Sequence, residues 1–426
     1  VGATPVTSFA QPGADGPVVI VAHGFAGSSQ MMQGYTLPLA RAGYRVFAFD
    51  FLGHGRHPTP MSGDVGSVEG TTRLLVDQTK AVLDSISDDK ITVALLGHSM
   101  ATDVLVRVAA ERENIGPVVL LSAFSEVIDA TTPSSLLLVV GAWEPRLRDF
   151  ALEAVRMVQP EADVGATVSN GPVLRRAAVV PWTEHVSILQ SSIGRQEALQ
   201  WLDHSFARSS DITILPTGPA IVGLLTGLVV LFASVARMLP ARDVPAVSLS
   251  RRRFALITVV PMLVTPPLAV MLDPGFMPVL IADYLALHLA IYGGLQLVIL
   301  IAWRVRFGTF VPLAFVLLMV GCGSFGFALD RYVANFWPNA DRLWIMALLF
   351  VGSILFFVPD VRLAHRSSIW TRLLLHSALL ISLLIAVSLD FEGLFFLLMI
   401  APVIVLFYII FGTMGHAVSM RSGPLA

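Results

Sequence analysis

One serine in the sequence stands where a nucleophile is expected. Ser99 lies in the run Gly97-His98-Ser99-Met100-Ala101, directly after apolar residues that end in Leu96. A serine hydroxyl is a poor nucleophile until a base removes its proton and hydrogen-bond donors stabilise the negative oxygen that forms on attack. A strand that ends in a sharp turn, with small residues flanking the serine, lifts the hydroxyl clear of the backbone. The run therefore predicts nucleophilic chemistry at Ser99.

The elements around Ser99 alternate between strands and helices. Short apolar runs rich in β-branched residues predict buried parallel strands. We expect strands at 17–22, 45–49, 91–96, 117–121, 136–140 and 176–181, and helices at 31–42, 67–86, 100–112, 146–157 and 194–207. This alternation predicts a doubly wound, mostly parallel α/β sheet whose site lies beyond the carboxyl ends of its strands.

Two further loops carry a family pattern. His23-Gly24 follows the first strong strand, and Asp50-x-x-Gly53-His54-Gly55 follows the next. Together with the Ser99 turn and the chain order serine, acid, histidine, they resemble the α/β-hydrolase superfamily, in its serine esterase and lipase-like form. The resemblance covers about residues 5–207.

The resemblance implies a role for each candidate residue. The acid of the family follows the strand 136–140, where Glu144 stands, and the base lies in the loop after the last strand, where His185 stands. His185 is then expected to take the Ser99 proton, and Glu144 to hold the imidazole. The backbone N–H groups of Phe25 and Met100 are the expected oxyanion donors.

The sequence departs from the family pattern in three places. Ala101 replaces the usual glycine and tightens the turn, and Glu144 replaces the more frequent aspartate. Asp149 is the main rival acid, followed by Glu126. Only about 14 residues separate the strands that end at Leu121 and begin at Leu136, so we expect no cap domain there.

The composition requires that part of the chain face lipid. Of 426 residues, 55% are hydrophobic and only 14% are charged, and the charged residues number 37 in 1–217 but 21 in 218–426. We predict an α/β-hydrolase domain at 1–210 and a transmembrane helical domain at 211–426. Seven apolar runs are long enough to cross a bilayer, near 218–236, 254–272, 279–301, 309–329, 343–358, 373–388 and 394–414. Three prolines interrupt the second run, which leaves a kinked span or a re-entrant segment open.

Arginines in the loops between these runs predict the orientation. One side carries eleven arginines and the other only Arg331 and Arg342, and cytoplasmic loops are the arginine-rich ones. The polar domain is therefore expected outside the cytoplasm, as part of a multi-pass plasma (inner) membrane protein. The sequence begins at Val1, and we expect a leader or an anchor to precede it.

Other polar and aromatic residues are expected to serve structure. We expect Asp283, His288 and His376, inside apolar runs, to make interfacial or interhelical hydrogen bonds rather than to contact a lipid head group. Asp50, His23 and His54 are expected to organise their loops. We expect His98 to be a packing or hydrogen-bonding neighbour of the serine. Trp143 and Trp182 are expected to pack in the core rather than to line an acyl pocket.

The leading functional hypothesis is a membrane-bound serine hydrolase that cleaves acyl esters of lipid or other hydrophobic substrates through an acyl-enzyme. Acyl transfer with the same triad, a catalytically inactive module on a transporter or scaffold, and a peptidase are the alternatives. The missing cap disfavours the peptidase. Neither a cofactor nor a metal is expected, because no metal-ligand or phosphate-loop spacing occurs. A net charge of −2 and two lysines make nucleic acid an unsuitable partner.

Overall fold

The computed structural model describes residues 1–61, 68–88, 90–273 and 275–425. The chain divides into two compact units. The first comprises Val1–Gly223 and Ala328–Asn339, and the second comprises Leu224–Phe327 and Ala340–Ala426. The predicted boundary near residue 210 stays a prediction.

A mostly parallel sheet organises the first unit. Within the described residues it has eight strands, in the spatial order β1-β3-β2-β4-β5-β6-β8-β7. The strands are β1 (Val6–Phe9), β2 (Val18–Ala22), β3 (Arg45–Phe49), β4 (Val93–His98), β5 (Ile115–Leu121), β6 (Ser135–Gly141), β7 (Thr167–Asn170) and β8 (Val173–Val180). The six inner strands run parallel, whereas β1 and β7 pair antiparallel at the two edges. The predicted α/β class is confirmed.

Helices cover both faces of this sheet. They are α1 (Gln33–Arg41), α2 (Arg73–Ile86), α3 (Met100–Glu111), α4 (Pro145–Arg156) and α5 (Ser192–Ser205). Every residue of β2 is buried, and its alternate side chains enter two separate cores. Val18 and Ile20 face the core lined by α2, α3 and α4, whereas Val19 and Val21 face the core lined by α1 and α5. A strand covered on both faces needs the continuous apolar run that predicted it.

The sequence missed some elements of the first unit. The edge strands β1 and β7 were not predicted, because each has only four residues and is largely exposed. The predicted helix 67–86 begins too early: residue 67 lies outside the described residues, and Val68–Thr72 forms wide turns around Gly70, whose φ and ψ are not helical. The regular helix starts only at Arg73.

The second unit consists of long apolar helices. Seven helices of the described residues are long and apolar enough to cross a membrane, as predicted: α6 (Thr217–Ala236), α7 (Arg251–Leu272), α8 (Ala282–Ala302), α9 (Pro312–Tyr332), α10 (Leu343–Ala364), α11 (Ile369–Leu389) and α13 (Phe396–Ser422). The first residues of α6 and the last of α9 belong to the first unit. A short helix, α12 (Phe391–Leu394), precedes the last span. The three prolines lie inside α7 without ending it.

Polar side chains in the second unit bond between helices. His288 Nδ1 lies 3.1 Å from the Tyr284 hydroxyl, one turn earlier on α8, and His288 Nε2 lies 3.0 Å from Ser382 Oγ on α11. His376 lies 3.6 Å from Asp360 on α10. The interhelical hydrogen bond expected for His288 is confirmed, whereas His376 lies close to Asp360 at a distance typical of an ion pair. Asp283 instead accepts from nearby backbone N–H groups, including that of Met277.

Candidate active site

Ser99 forms the turn between β4 and α3. Its φ of +52° and ψ of −119° lie in a region that L-residues rarely adopt, and a neighbouring strand holds it there, because the Ser99 N–H donates to the Leu121 carbonyl at 3.0 Å. The Thr102 N–H and hydroxyl both donate to the Ser99 carbonyl. Neighbouring bonds thus maintain a strained backbone that projects the Ser99 side chain from the end of the strand.

Three side chains from three different loops join at this turn. His185 follows β8, and its Nε2 lies 2.8 Å from Ser99 Oγ. Its Nδ1 lies 2.6 Å from Oε1 of Glu144, which follows β6. Because the carboxylate can only accept, Nδ1 carries the proton and Nε2 accepts from the serine hydroxyl. The structure therefore brings Ser99, His185 and Glu144 into one hydrogen-bonded series.

The Glu144 carboxylate is buried and fully engaged. Its second oxygen, Oε2, accepts from Ser122 Oγ at 2.7 Å and from the Gly141 N–H at 2.8 Å. Burial is the largest influence and raises the pKa of Glu144, but the hydrogen bonds from His185, Ser122 and Gly141 together outweigh it and leave the pKa below its usual value. Glu144 therefore stays a carboxylate at neutral pH.

The rival acids lie away from this series. Asp149, on α4, has a 74% exposed side chain whose ion-pair partner is the adjacent Arg148. Glu126 is exposed as well. Of the three candidates, Glu144 is the one that bonds to His185. Ser122 was not singled out in the sequence, although its place directly after β5 puts it at the same strand edge.

His98 anchors the loop that carries His185. Its Nε2–H donates to the His185 carbonyl at 2.7 Å. Burial, together with the nearby His185, lowers the pKa of His98 to about 4, so the ring is neutral at physiological pH. His98 thus acts as a hydrogen-bonding neighbour, in agreement with the sequence analysis.

The loop after β2, residues 23–29, packs directly against the serine. A Cβ atom added to Gly24 would lie 2.9 Å from Ser99 Cβ and 2.9 Å from His98 Nδ1, so only glycine permits this approach. His23 fixes the loop: its Nε2 accepts from the Phe51 N–H, so its Nδ1–H donates to the Gly24 carbonyl at 2.7 Å. Burial, followed by the nearby His54, lowers the pKa of His23 to about 4.

Asp50 connects this β2 loop to the loop after β3, residues 50–61. One carboxylate oxygen accepts from the Ser29 N–H at 2.7 Å and the other from the Arg56 N–H at 2.9 Å. The expected role of Asp50 as a loop organiser is confirmed. The rings of His54 and Phe25 meet edge to face at 5.4 Å, which brings the two loops together a second time.

The expected oxyanion donors follow Ser99 and Gly24 directly in the chain. Met100 is the first residue of α3, where a backbone N–H has no partner within the helix. Phe25 directly follows Gly24, the residue packed against Ser99. Their role as donors stays a prediction.

Two tryptophans lie on the surface in the loops that carry Glu144 and His185, and the expectation of core packing is wrong for both. Trp143 precedes Glu144 and is 62% exposed, and Trp182, in the loop that carries His185, is 82% exposed. Their rings meet edge to face at 6.4 Å. Both follow the end of a strand, where the chain leaves the sheet and the core.

The comparisons with known proteins agree with this architecture. Residues 17–156 match the family model described as "alpha/beta hydrolase fold". The first unit has an α/β-hydrolase fold. None of the curated proteins matches the chain.

Solved structures resemble about half of the chain at low identity. A predicted CIB-like hydrolase from Thermoplasma acidophilum is 15% identical, with 47% of this chain and 93% of that chain covered and a TM-score of 0.37. Est1E from Butyrivibrio proteoclasticus, bound to ferulic acid, is 14% identical, with coverage of 48% and 96% and a TM-score of 0.36. A soluble variant of monoglyceride lipase from Saccharomyces cerevisiae is 13% identical, with coverage of 48% and 92% and a TM-score of 0.36.

The described part of the chain contains no group of side chains suited to bind a metal ion. Among those residues, no three histidine, cysteine, aspartate or glutamate side chains lie together as ligands would. The residues around Ser99 are suited instead to acid–base and nucleophilic chemistry.

Proposed function

We propose that this protein is a membrane-bound serine hydrolase that cleaves acyl esters of lipid or other hydrophobic substrates. The observation that carries the proposal is the hydrogen-bonded series from Ser99 through His185 to Glu144. A serine and a histidine that only serve the surface do not require a buried carboxylate such as that of Glu144, which Ser122 and Gly141 hold in place. A general base does, because the carboxylate fixes its tautomer and stabilises its protonated form.

Acylation begins at Ser99, with His185 acting first as base and then as acid while Glu144 holds its imidazole. His185 Nε2 removes the proton from Ser99 Oγ as that oxygen attacks the ester carbonyl carbon, and a tetrahedral intermediate with a negative oxygen forms. The N–H groups of Phe25 and Met100 stabilise this oxygen. His185 then gives its proton to the alcohol oxygen as the carbon–oxygen bond breaks, which releases the alcohol and leaves the acyl group on Ser99.

Deacylation repeats these steps with water. His185 removes a proton from a water molecule whose oxygen attacks the acyl carbon, and the same proton returns to Ser99 Oγ as the acid leaves. An alcohol in place of water would give transfer of the acyl group, so product analysis in the presence of glycerol separates hydrolysis from transfer.

The surroundings of the triad suit an apolar acyl group. Trp143, Trp182, Phe124 and Val186 are large hydrophobic residues, each more than half exposed, on the loops that carry the acid and the base or follow β5. Exposed apolar side chains gathered at one edge of a sheet mark a binding surface. The chain between β5 and β6 is only 13 residues long, which leaves no room for a cap domain above them.

A series of p-nitrophenyl esters tests this preference for apolar acyl groups. We expect kcat/KM to rise with acyl length, because one buried methylene contributes about 0.8 kcal/mol. We expect Trp182→Ala to remove apolar contact with the long acyl chains, and thus to reduce kcat/KM for the long esters about fivefold with little effect on the acetate. An enzyme that prefers the acetate, and ignores long esters in micelles, would contradict the lipid-like substrate.

We further propose that the hydrolase domain lies outside the cytoplasm, on the side with few arginines. Four spans, α6 to α9, separate the N-terminal domain from the segment Ala328–Asn339, and this segment belongs to the same compact unit. The domain and this segment must lie on the same side of the membrane, which requires an even number of crossings between them. This supports the interpretation of the proline-containing α7 as a full membrane span and not as a re-entrant segment.

Two single-cysteine variants test the orientation in a Cys322→Ser background. Asp149→Cys lies in the hydrolase domain and Asp243→Cys lies between α6 and α7, and both side chains are well exposed. We expect an impermeant maleimide to label Asp149→Cys in intact cells and Asp243→Cys only after lysis. The reverse pattern would overturn the orientation.

Labelling with a fluorophosphonate tests the proposed nucleophile directly. We expect the full-length protein in detergent to be labelled at one site, and Ser99→Ala to lose labelling and at least ~10³-fold of its turnover. Ser125→Ala is the matched control, since Ser125 bonds to Asp103 away from His185. Labelling that survives in Ser99→Ala would show that another residue reacts.

A further inference from the structure

A segment far along the chain from Ser99 packs onto the loops beside it. The segment Ala328–Asn339, called the strap below, contains the last turn of α9 and the connection toward α10. It belongs to the first compact unit, although both neighbouring stretches of chain belong to the second. The strap is therefore held to the hydrolase domain by its own contacts.

Asn335 is the centre of these contacts. Its backbone N–H donates to Ser28 Oγ at 3.2 Å, and its Nδ2 donates to the Gly55 carbonyl at 3.4 Å. Its Oδ1 accepts from Arg56 Nε at 3.2 Å and from Gln30 Nε2 at 3.5 Å. One residue thus bonds to the β2 loop, to the β3 loop and to the start of the helical turn that follows the β2 loop.

An ion pair and a second asparagine fasten the strap to the β3 loop. Asp330 Oδ2 lies 2.7 Å from Arg56 Nη2, and the other carboxylate oxygen accepts from the N–H groups of Phe336 and Trp337. The same carboxylate therefore shapes the strap and attaches it. Asn339 Nδ2 donates to the carbonyls of Arg56 and His57 at 3.4 Å and 3.3 Å.

These contacts act on a loop whose position matters for the proposed reaction. Gly24, at one end of the β2 loop, packs against Ser99, and Ser28 and Ser29, at the other end, are held by Asn335 and Asp50. Phe25, a proposed oxyanion donor, lies between the two fixed ends. A backbone N–H stabilises the oxyanion only within a few tenths of an ångström of its working position.

We propose that the strap is a positioning element for the active site, and that Asn335 sets the place of the Phe25 N–H by holding the β2 and β3 loops together. This inference rests on the proposed function. It makes a connection between two membrane spans part of the machinery that stabilises the transition state, and it gives Arg56, Asp330 and Asn335 roles outside the triad.

The proposal requires a specific kinetic pattern. Loss of the Asn335 side-chain contacts, while its backbone bond to Ser28 remains, should lower kcat and leave KM almost unchanged. A misplaced oxyanion donor weakens binding of the transition state and not of the ground state. Removal of a whole oxyanion donor reduces kcat about 10²–10³-fold, so partial misplacement should reduce it about tenfold. The pH profile should keep its shape, because His185 and Glu144 are untouched.

The test uses full-length protein in detergent, with p-nitrophenyl butyrate as substrate and fluorophosphonate labelling as the count of folded, reactive sites. We expect Asn335→Ala to lose about tenfold in kcat per labelled site, with KM within twofold. Asn335→Asp keeps the acceptor for Arg56 and Gln30 but loses the donor to Gly55. Its kcat should therefore lie between that of the wild type and that of Asn335→Ala. The control is Arg331→Ala in the same segment, whose guanidinium lies over the exposed Tyr332 ring and should be dispensable.

A double-mutant cycle isolates the ion pair. Asp330→Asn removes the charge but keeps an oxygen for the Phe336 and Trp337 N–H groups, and Arg56→Ala removes the partner. We expect each single variant to lower kcat severalfold and the double variant to lose no more than the worse single one. Additive losses, or a wild-type kcat per labelled site in folded Asn335→Ala, would overturn the role of the strap while leaving Ser99 as nucleophile. A wild-type protein that neither labels nor turns over would overturn the proposed function as well.

Discussion

The two units join polar side chains by hydrogen bonds in different arrangements. Around Ser99, the bonded groups come from loops that follow different strands, as His185 follows β8 and Glu144 follows β6. In the second unit, His288 bonds to Tyr284 one turn away on its own helix and to Ser382 on a packed neighbour. The first arrangement brings side chains from distant parts of the chain to one point. The second joins two helices, where apolar side chains alone give little preference for one partner over the surrounding lipid.

The largest effect is expected where a carboxylate oxygen of Glu144 is replaced by an amide nitrogen. We expect Glu144→Gln to reduce kcat/KM about 10³–10⁴-fold, because the amide cannot stabilise the protonated imidazole and can hold the wrong tautomer. Steady-state kinetics on p-nitrophenyl butyrate measures this. Asp149→Asn is the control and should be silent; a larger loss there than in Glu144→Gln would transfer the acid role to α4.

The close packing of the β2 loop predicts the next largest effect. Gly24→Ala places a methyl group 2.9 Å from Ser99 Cβ and His98 Nδ1, so the loop must move away from the nucleophile. We expect about a 10²-fold loss of kcat in a protein that still folds. Gly227→Ala, in α6 with open space around it, is the matched control. Wild-type activity in Gly24→Ala would show that the loop position is not critical.

Acid should weaken the first unit through its buried histidines. The pKa of His23 and of His98 is about 4 in the folded chain against 6.5 in the unfolded chain, so unfolding takes up protons between these values. Stability is therefore complete above pH 6.5 and falls as the pH drops toward 4, by roughly 2–3 kcal/mol for each histidine. Thermal unfolding followed by tryptophan fluorescence measures this slope.

Replacement of one histidine separates its part of that slope. His98→Gln should lower the unfolding temperature at pH 7.5 and flatten its decline toward pH 4.5. An unchanged slope would mean that His98 does not titrate on unfolding. Retention of Ser99 labelling at pH 7.5 verifies that the variant is folded.

The smallest effect is expected in the second unit and contrasts with the first. His288→Phe removes the bonds to Tyr284 and Ser382 and leaves buried polar groups unpaired, which costs about 1–2 kcal/mol. We expect a lower unfolding temperature in detergent and an unchanged kcat per labelled site. A loss of kcat comparable to that of Glu144→Gln, in a folded protein, would contradict a purely structural role for the His288 hydrogen bonds.

The sequence was sufficient wherever a local pattern carried the information. The seven spans follow from runs of apolar residues, since a bilayer requires length and apolarity along one continuous stretch. The inner strands follow from short β-branched runs, and the turn at Ser99 follows from small residues between a strand and a helix. The short, polar edge strands β1 and β7 lack such a pattern, because one partner strand holds each of them.

Tertiary structure decided which distant groups meet. Glu144 and Asp149 are near neighbours in sequence, and only the fold shows that Glu144, directly after β6, bonds to His185. Trp143 and Trp182 have the composition of core residues, yet the chain leaves the sheet at both points and exposes them. Asn335 and Ser28 are 307 positions apart, and no local pattern relates them. A hydrogen bond depends on the distance between two atoms in space and not on their separation in sequence. The role proposed for the strap therefore follows only from the folded structure.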